Sequence, residues 1–517
     1  GPTSVHPLAT KIRKLSTRAL EIRIGTNKFK GVGLTGGVLL CNIIFVPEAP
    51  STAMAACIFL YFITLFAIAP PSSSTLETPE VLEKIRRLAA DNLQPTLNVW
   101  REMQARHGGK KLTMQHFLQT VREMSKTNSG RQMAAFWGIK NNRLFRPRKD
   151  GEARYDPIIM RNENVPNKDS AEWSLLSLWL ALQEAMDRGV KFPDCLFLYN
   201  ALDQPMCNIF YPCHTYKFAP PISVIGYNRS LLPEPQLSEK KPPIDRSPGH
   251  GDFVISHFRF TGHSGKSPAI HPHHPTIVAL NSKGDPEWSQ KRQIKQHPVP
   301  WDKKRPQLFF RGKAWCSHLR RLGCVRIKLA NLTARHPDEL NIFGANMPRS
   351  VFKQIGKLPS GQRPRLIVPM HEWAEYKYLA ALDGIGASSR TIALFHLGSL
   401  VVKQRRTPYT EWFYNSVKKG VHQEEFWHSD EDAVDVVHRL RANDGYARQL
   451  AEAGTAFAQD YLVKEVMMVY AKHLLEAYVS LFSDMDEYME SVGDPGNSTR
   501  FRAQYNRWRT DWRTVFS

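Results

Sequence analysis

Three short stretches of this chain combine residue types that handle anions and protons. The first is Leu382-Asp383-Gly384-Ile385-Gly386-Ala387-Ser388-Ser389-Arg390, which follows Lys377-Tyr378-Leu379 and precedes an apolar helical pattern and Gly398-Ser399-Leu400-Val401-Val402-Lys403. Glycines let the backbone approach a ligand, amides at a helix N-terminus point at its oxygens, and an arginine adds a forked cation. The order strand, glycine turn, helix start, strand suits a diphosphate, although α/β folds also carry such turns without a ligand. The second stretch is Arg311-Gly312-Lys313, directly after Leu308-Phe309-Phe310. A basic residue and a glycine at a strand end again suit an anion, or mark a surface-facing strand end. The third is Asp203, just past the apolar run from Cys195 to Asn200. A polar residue beyond the carboxyl end of a strand in an open α/β sheet lies where ligands bind. The plainer alternative is a loop aspartate capping a turn.

The elements that must position these residues can be read from the same sequence. Thr78-Pro79-Glu80 reads as an N-cap, a first-turn proline and a first-turn acid, opening an amphipathic helix to about Arg106 that Gly108-Gly109 closes. Helical pattern resumes over 111–125, and residues 138–145 read as a strand pair or turn. Asp169 or Ser170 caps a helix running through Asp187, and Cys195 to Asn200 reads as a buried parallel strand. Residues 231–251 and 262–306 are rich in Pro, Gly, His and Lys and read as long loops. Within them, His271-Pro-His273-His274-Pro lacks a carboxylate or cysteine at ligand spacing, which favours a solvated loop over a metal site. Asp430-Glu-Asp432 and Asp484-Met-Asp486 have the spacing of a metal–diphosphate carboxylate pair. Both adjoin strong helix patterns, where first-turn acids are ordinary dipole partners. Helices are expected over 430–441, 444–460 and 462–482.

In this order the motifs resemble glycosyltransferase family 90, which includes the Rumi-like protein O-glucosyltransferases and the fungal capsule-associated xylosyltransferases. The matching pieces are Asn200-x-x-Asp203-x-Pro205, Trp301-x-x-Lys304 with Phe309-Phe310-Arg311-Gly312, Lys377-Tyr378-Leu379, the Asp383 to Arg390 run, Gly398 to Lys403, and Glu411-Trp-Phe413-Tyr414 leading to Val421-His422. The resemblance covers roughly residues 130–480. It implies an α/β, GT-B architecture of two Rossmann-like lobes facing a cleft, and inverting transfer of glucose or xylose from UDP-glucose or UDP-xylose to a hydroxyl of a protein or glycan. Asp203 then aligns with the catalytic base. Arg305, Arg311, Gly312, Ile385, Gly386, Ala387, Ser388, Ser389 and Arg390 align with donor-binding positions. Asp252, His257 and Phe258 fall in the acceptor-facing segment, where His257-Phe258-Arg259 replaces the more usual proline-containing sequence. No metal and no other cofactor is expected, because the arginines and loop amides would carry the leaving-group charge. The alternative is a non-catalytic lumenal carbohydrate- or client-binding protein that keeps the fold.

The resulting domain scheme is a basic cytosolic tail (1–30), a membrane anchor (31–70), a stalk (71–78), an N-terminal lobe with the base (79–290), a nucleotide-sugar lobe (291–475), and a helical extension (476–517) packing back on the first lobe. Residues 1–30 hold seven Lys/Arg against Glu21 alone, and residues 53–69 contain no charge. Seventeen apolar residues span roughly 25 Å, near the lower limit for a membrane helix. The basic flank puts the N-terminus in the cytosol and the large domain in the Golgi or endoplasmic reticulum lumen, as a single-pass type II protein. A second crossing by 31–47 would reverse this, but its glycines and Asn42 favour one crossing. The acceptors Asn228-Arg-Ser230, Asn331-Leu-Thr333 and Asn497-Ser-Thr499 agree with a lumenal location, and among seven cysteines the nearby group Cys195, Cys207 and Cys213 and the local pair Cys316 and Cys324 suit one or two disulfides. The net charge of +22 attracts polyanions. With no homeodomain, zinc-finger, RRM or basic-zipper pattern, no nucleic-acid partner is expected. A hydrophobic fraction of 42% excludes a disordered chain.

Overall fold

The computed structural model describes residues 76–126, 134–147, 153–154, 178, 181–200, 216–223, 226–227, 253–254, 299–314, 324–355, 365–366, 368–384, 386–388, 390–405, 409–426 and 432–491, together with four strands near the N-terminus. The chain divides into two compact units, Gly1–Ser73 and Ser74–Ser517. In the first, β1 (Ala19–Ile24) pairs antiparallel with β2 (Asn27–Val32), and β3 (Leu34–Thr35) with β4 (Val38–Leu39). The apolar stretch 53–69 lies outside the described residues. Among the described residues no helix is long and apolar enough to cross a membrane.

The larger unit opens with α1 (Pro79–Leu88), capped by the Thr78 hydroxyl accepting from the Val81 amide at 3.3 Å, with Pro79 and Glu80 in the first turn. A π-helical turn, Ala89–Leu93, joins it to α2 (Gln94–Arg106), and α3 (Met114–Lys126) follows. At the π turn Ser416 donates to the Asp91 carboxylate at 2.8 Å, and the Asn415 amide donates to Asn92 Oδ1 at 2.9 Å. The extra residue in this turn therefore coincides with a polar grip on a segment more than 300 positions later in the chain.

The first sheet has the order β11-β9-β8-β5-β6-β7. Its strands are β5 (Ala134–Lys140), β6 (Arg143–Pro147), β7 (Ala153–Arg154), β8 (Cys195–Asn200), β9 (Ile222–Ser223) and β11 (Phe253–Val254). Asn141 and Asn142 adopt positive φ between β5 and β6, as a two-residue hairpin turn of matching twist requires. All six residues of β8 are buried, as an unbroken apolar run demands. Its pairing differs from the sequence expectation. β8 is antiparallel to β5 along its whole length and parallel only to β9, at Tyr199 and Asn200. Burial on both faces dictates an apolar run but not the direction of the neighbours.

The second sheet is wholly parallel, in the order β13-β12-β14-β15-β17. It comprises β12 (Arg305–Arg311), β13 (Leu340–Phe343), β14 (Tyr376–Ala381), β15 (Leu400–Gln404) and β17 (Glu424–Phe426). From β12 the chain passes through α4 (Val325–Arg335) to β13 on one side. It then passes α5 (Arg349–Ile355) and crosses to β14 on the other side of β12. The strand order reverses between β12 and β14, so the crevice at their carboxyl ends is the topological switch point, where ligands bind in open α/β sheets. A short antiparallel pair, β10 (Gly226–Tyr227) with β16 (Tyr409–Thr410), joins the segment just beyond β9 to the segment just beyond β15.

Beyond β17, α7 (Asp432–Ala442), α8 (Asp444–Tyr461) and α9 (Lys464–Val479) fall close to the expected spans. Between α9 and α10 (Met485–Ser491) the chain returns to the first half. Leu112 donates to the Leu481 carbonyl and accepts from the Ser483 amide, each at 2.9 Å, and the Leu196 amide on β8 meets Met485 Sδ at 3.5 Å. Of the two acidic pairs with metal–carboxylate spacing, Asp484 accepts the Met114 amide at 2.9 Å, Asp432 and Asp486 stand in first helical turns, and Asp430 lies outside the described residues. Thr333 of the Asn331 acceptor is buried within α4 and bonded to the Ile342 amide, so this sequon is closed in the folded protein. Asn228 and Asn497 lie outside the described residues. Cys324 is disulfide-bonded, to a partner outside the described residues, and Cys195 is a buried free thiol.

At the amino-terminal end of the second sheet, Lys304 is buried. Its ammonium donates to the Ala374 carbonyl at 2.6 Å, the Leu397 carbonyl at 3.3 Å and Ser399 Oγ at 2.9 Å. Burial pushes its pKa down to about 8. The unfolded chain holds this proton to higher pH than the fold does, so stability rises as pH climbs from about 8 toward the ~10.4 of a free lysine. Lys304→Met should destabilise the protein by on the order of 2–4 kcal/mol, because it strands buried acceptors. In denaturant titrations the deficit should widen between pH 8 and 10; a deficit flat across that window would show that the ammonium keeps its water.

Candidate functional site

The structure brings several of the singled-out residues together at the switch point. Arg311 and Gly312 end β12, and the loop carrying Gly386, Ala387, Ser388 and Arg390 follows β14. Ile385 and Ser389 of that loop, Asp203 three residues past β8, and Asp252, His257 and Phe258 lie outside the described residues. Arg305 is placed elsewhere. It starts β12, and seven residues of strand put it roughly 20 Å from the carboxyl end. There its guanidinium is largely exposed, 3.4 Å from Glu375 and over the Tyr376 ring.

Two glycines shape the floor of the crevice. A Cβ on Gly344 would stand 1.5 Å from the Gly312 carbonyl oxygen, so the backbones beyond β12 and β13 touch where any side chain would collide. A Cβ on Gly312 would stand 2.7 Å from Phe310 Cζ and 3.3 Å from Arg390 Nη1. The missing side chain leaves space for the Arg390 guanidinium, which donates to the Arg311 carbonyl and lies 5.3 Å from the Phe310 ring centroid and 5.5 Å from that of Trp373. Such cation–π contacts are strongest where water is excluded.

Arg311 itself serves the scaffold. Its Nε donates to the Arg365 carbonyl at 2.8 Å, Nη1 to the Phe310 and Asn341 carbonyls at 2.9 and 2.7 Å, and Nη2 to Asn341 Oδ1 at 2.7 Å. Four hydrogen bonds to protein oxygens commit this side chain to tying β12 to β13. Burial pulls its pKa down to about 10, which leaves the guanidinium charged at neutral pH. Arg390, bonded to the Arg311 carbonyl, is a second guanidinium at this switch point.

The loop after β14 is held from within. Asp383 Oδ1 accepts the Ser388 amide at 2.8 Å, and the Gly384 amide donates to the Gly386 carbonyl at 2.9 Å. The Ser388 amide, expected to meet a ligand, is thus used internally. Thr391 Oγ1 donates to the Ser388 carbonyl at 2.6 Å and touches Tyr414 Oη at 3.2 Å, and Tyr414 in turn donates to Glu411 Oε1 at 3.4 Å. Both sides of the Ser388 peptide are pinned by side chains. Beneath the loop the Lys403 ammonium lies 3.5 Å from the Tyr414 ring centroid. Burial lowers the Lys403 pKa, against the pull of Asp383, Glu425 and Glu411, while burial and the same two acids, Glu411 and Asp383, hold the Tyr414 hydroxyl well above its usual value. The helix that follows, α6 (Thr391–Phe395), is only five residues long, so its dipole adds little here. Among the described residues no group of three His, Cys, Asp or Glu side chains is arranged to hold a metal ion.

Residues 255–492 match the sequence profile of glycosyl transferase family 90, a span that takes in the whole crevice of the second sheet. Over that span the chain is similar to the family. Among its relatives, the O-glucosyltransferase rumi of Drosophila melanogaster is 27% identical over 208 residues, 39% of this chain and 48% of that protein. The human protein O-glucosyltransferase 1 is 28% identical over 186 residues, 36% of this chain and 44% of its own length. The chain thus spans about half the length of the curated relatives it matches. A crystal structure of Anabaena HepE in complex with UDP and glucose is 12% identical, covers 33% of this chain and 47% of that one, and has a TM-score of 0.25, a likeness too slight to carry further argument.

The sequence singled out Arg390, Gly312 and the loop by type and spacing. It missed the carbonyl-capping role of Arg311, and no local signal marks Gly344 as the point of backbone contact. Gly312→Ala should force both Phe310 and Arg390 to move, at a cost of about 1–3 kcal/mol as for other overpacked sites. Scanning calorimetry reads this as a lowered Tm; an unchanged Tm would show slack in the stack.

Proposed function

We propose that this protein is a family 90, inverting glycosyltransferase with a GT-B cleft, moving glucose or xylose from a UDP-sugar to a hydroxyl of a protein or glycan. The observation that carries this reading is Arg390, seated at the switch point between β12 and β14 on the Arg311 carbonyl, in the space left by Gly312. A guanidinium there would meet the diphosphate as it leaves. Preorganised donors of this kind stabilise developing charge without a metal and are worth on the order of 10²–10³ in rate. The match of residues 255–492 to the family and the O-glucosyltransferase names of its relatives support sugar transfer.

In the proposed reaction Asp203 takes the proton of the acceptor hydroxyl while its oxygen attacks the anomeric carbon, the bond to UDP breaks, and the configuration inverts. An aspartate near its ordinary pKa of ~3.9 is ionised at neutral pH and competent as the base. The β10–β16 pair supports a cleft shared by the two sheets, because it ties the segment after β9, the parallel neighbour of β8, to the segment after β15. We assign the acceptor side to the segment of Asp252, His257 and Phe258. A lumenal location in the Golgi or endoplasmic reticulum, with an N-terminal membrane anchor, fits the disulfide at Cys324, since such bonds persist in oxidising compartments.

Incubation of the purified protein with a panel of UDP-sugars, scored by UDP release, tests the reading; silence across the panel, with and without acceptors, would refute it. Asp203→Asn should abolish transfer while leaving UDP binding intact, and near wild-type turnover would remove Asp203 from its role. Arg390→Ala should weaken UDP binding roughly tenfold or more, as loss of a charge-assisted contact does; calorimetric titration measures it.

A further inference from the structure

Arg326 belongs to none of the stretches that the sequence singles out, yet its guanidinium joins both walls of the crevice. It is the second residue of α4 and is buried, 8% exposed. Its Nη1 donates to the Lys313 carbonyl at 2.8 Å and its Nη2 to the Leu382 carbonyl at 2.9 Å. Lys313 lies just past β12 and Leu382 just past β14, so one fork spans the two strand ends between which the chain order reverses. The loop is shaped to admit it. A Cβ on Gly384 would stand 2.9 Å from Arg326 Nη2 and 3.1 Å from Cζ. The Phe310 ring, 5.3 Å from Arg390 Cζ, is also within reach of Arg326, 5.2 Å from its Cζ.

We infer that Arg326 is a positioning residue for the donor: its clamp sets the spacing of the β12 and β14 ends and, through Phe310, holds Arg390 where the diphosphate of a nucleotide sugar arrives. This rests on the reading of the crevice as a UDP-sugar site. A guanidinium is suited to the task because its planar fork reaches two carbonyls at once, whereas an ammonium is a point donor on a flexible stem. Two cations around one ring also raise the local positive potential without a metal, which favours a dianionic ligand.

Calorimetric titration with UDP tests this on the full chain. Arg326→Gln should weaken UDP binding about tenfold or more, the scale of a lost charge-assisted contact, and Arg326→Lys should recover only part of it. Gly384→Ala keeps the charge but displaces the guanidinium, so it should weaken UDP in the same direction. Combining it with Arg326→Gln should add little, because both changes act on one contact. A merely structural arginine predicts a lowered Tm with UDP affinity unchanged, and that result in a folded Arg326→Gln would overturn the inference. If the Arg326 variants fail to fold, Gly384→Ala decides: wild-type UDP affinity in that variant overturns it. A wild-type protein that binds no UDP would overturn the donor reading, and this inference with it.

Discussion

Parallel sheets leave main-chain carbonyls without sheet partners where their strands run out, and burying them unpaired is costly. In the second sheet these groups are met by cations. Arg326 takes the carbonyls of Lys313 and Leu382 and Arg390 that of Arg311, all at or just past strand ends, while Arg311 takes those of Phe310 and Asn341 within the strands and of Arg365 outside them. At the opposite end Lys304 takes Ala374 and Leu397. The strands can sit deep in one apolar core because their polar ends are tied off in this way. The site inherits its positive charge from this structural necessity.

The glycines serve the same arrangement. Gly312, Gly344 and Gly384 each stand where a Cβ would strike a backbone, a ring or a guanidinium. None of the three has positive φ, so they are used for room and not for unusual backbone angles. Asp383 and Thr391 then fix the Ser388 peptide from both sides, which leaves Arg390 on a rigid support. Rigid support matters because a misplacement of about 1 Å can cost on the order of a hundredfold in rate.

Much of this was legible in the sequence. Apolar runs located β8, β12, β14 and β15, and the Thr78-Pro79-Glu80 signal located the start of α1, because burial and capping each leave a local pattern. Pairing direction did not show at β8, since an apolar run records burial alone. The loop after β14 was legible through Gly386 and Arg390, which mark a turn between two strands. Arg305 and Arg311 look equivalent in sequence, six positions apart, but a parallel strand sends one to each end of the sheet, and only the carboxyl end meets the crevice. Arg311 could not be distinguished from a ligand-facing cation, because its partners are three main-chain oxygens and the Asn341 side chain, from residues up to 54 positions away. Arg326 left no trace, being one basic residue among many in a helical pattern.

The β10–β16 ribbon, two residues on each strand, is one of the short ties between the halves of the larger unit. A pairing this short carries few hydrogen bonds, so it fixes which two segments are neighbours while adding little stability of its own.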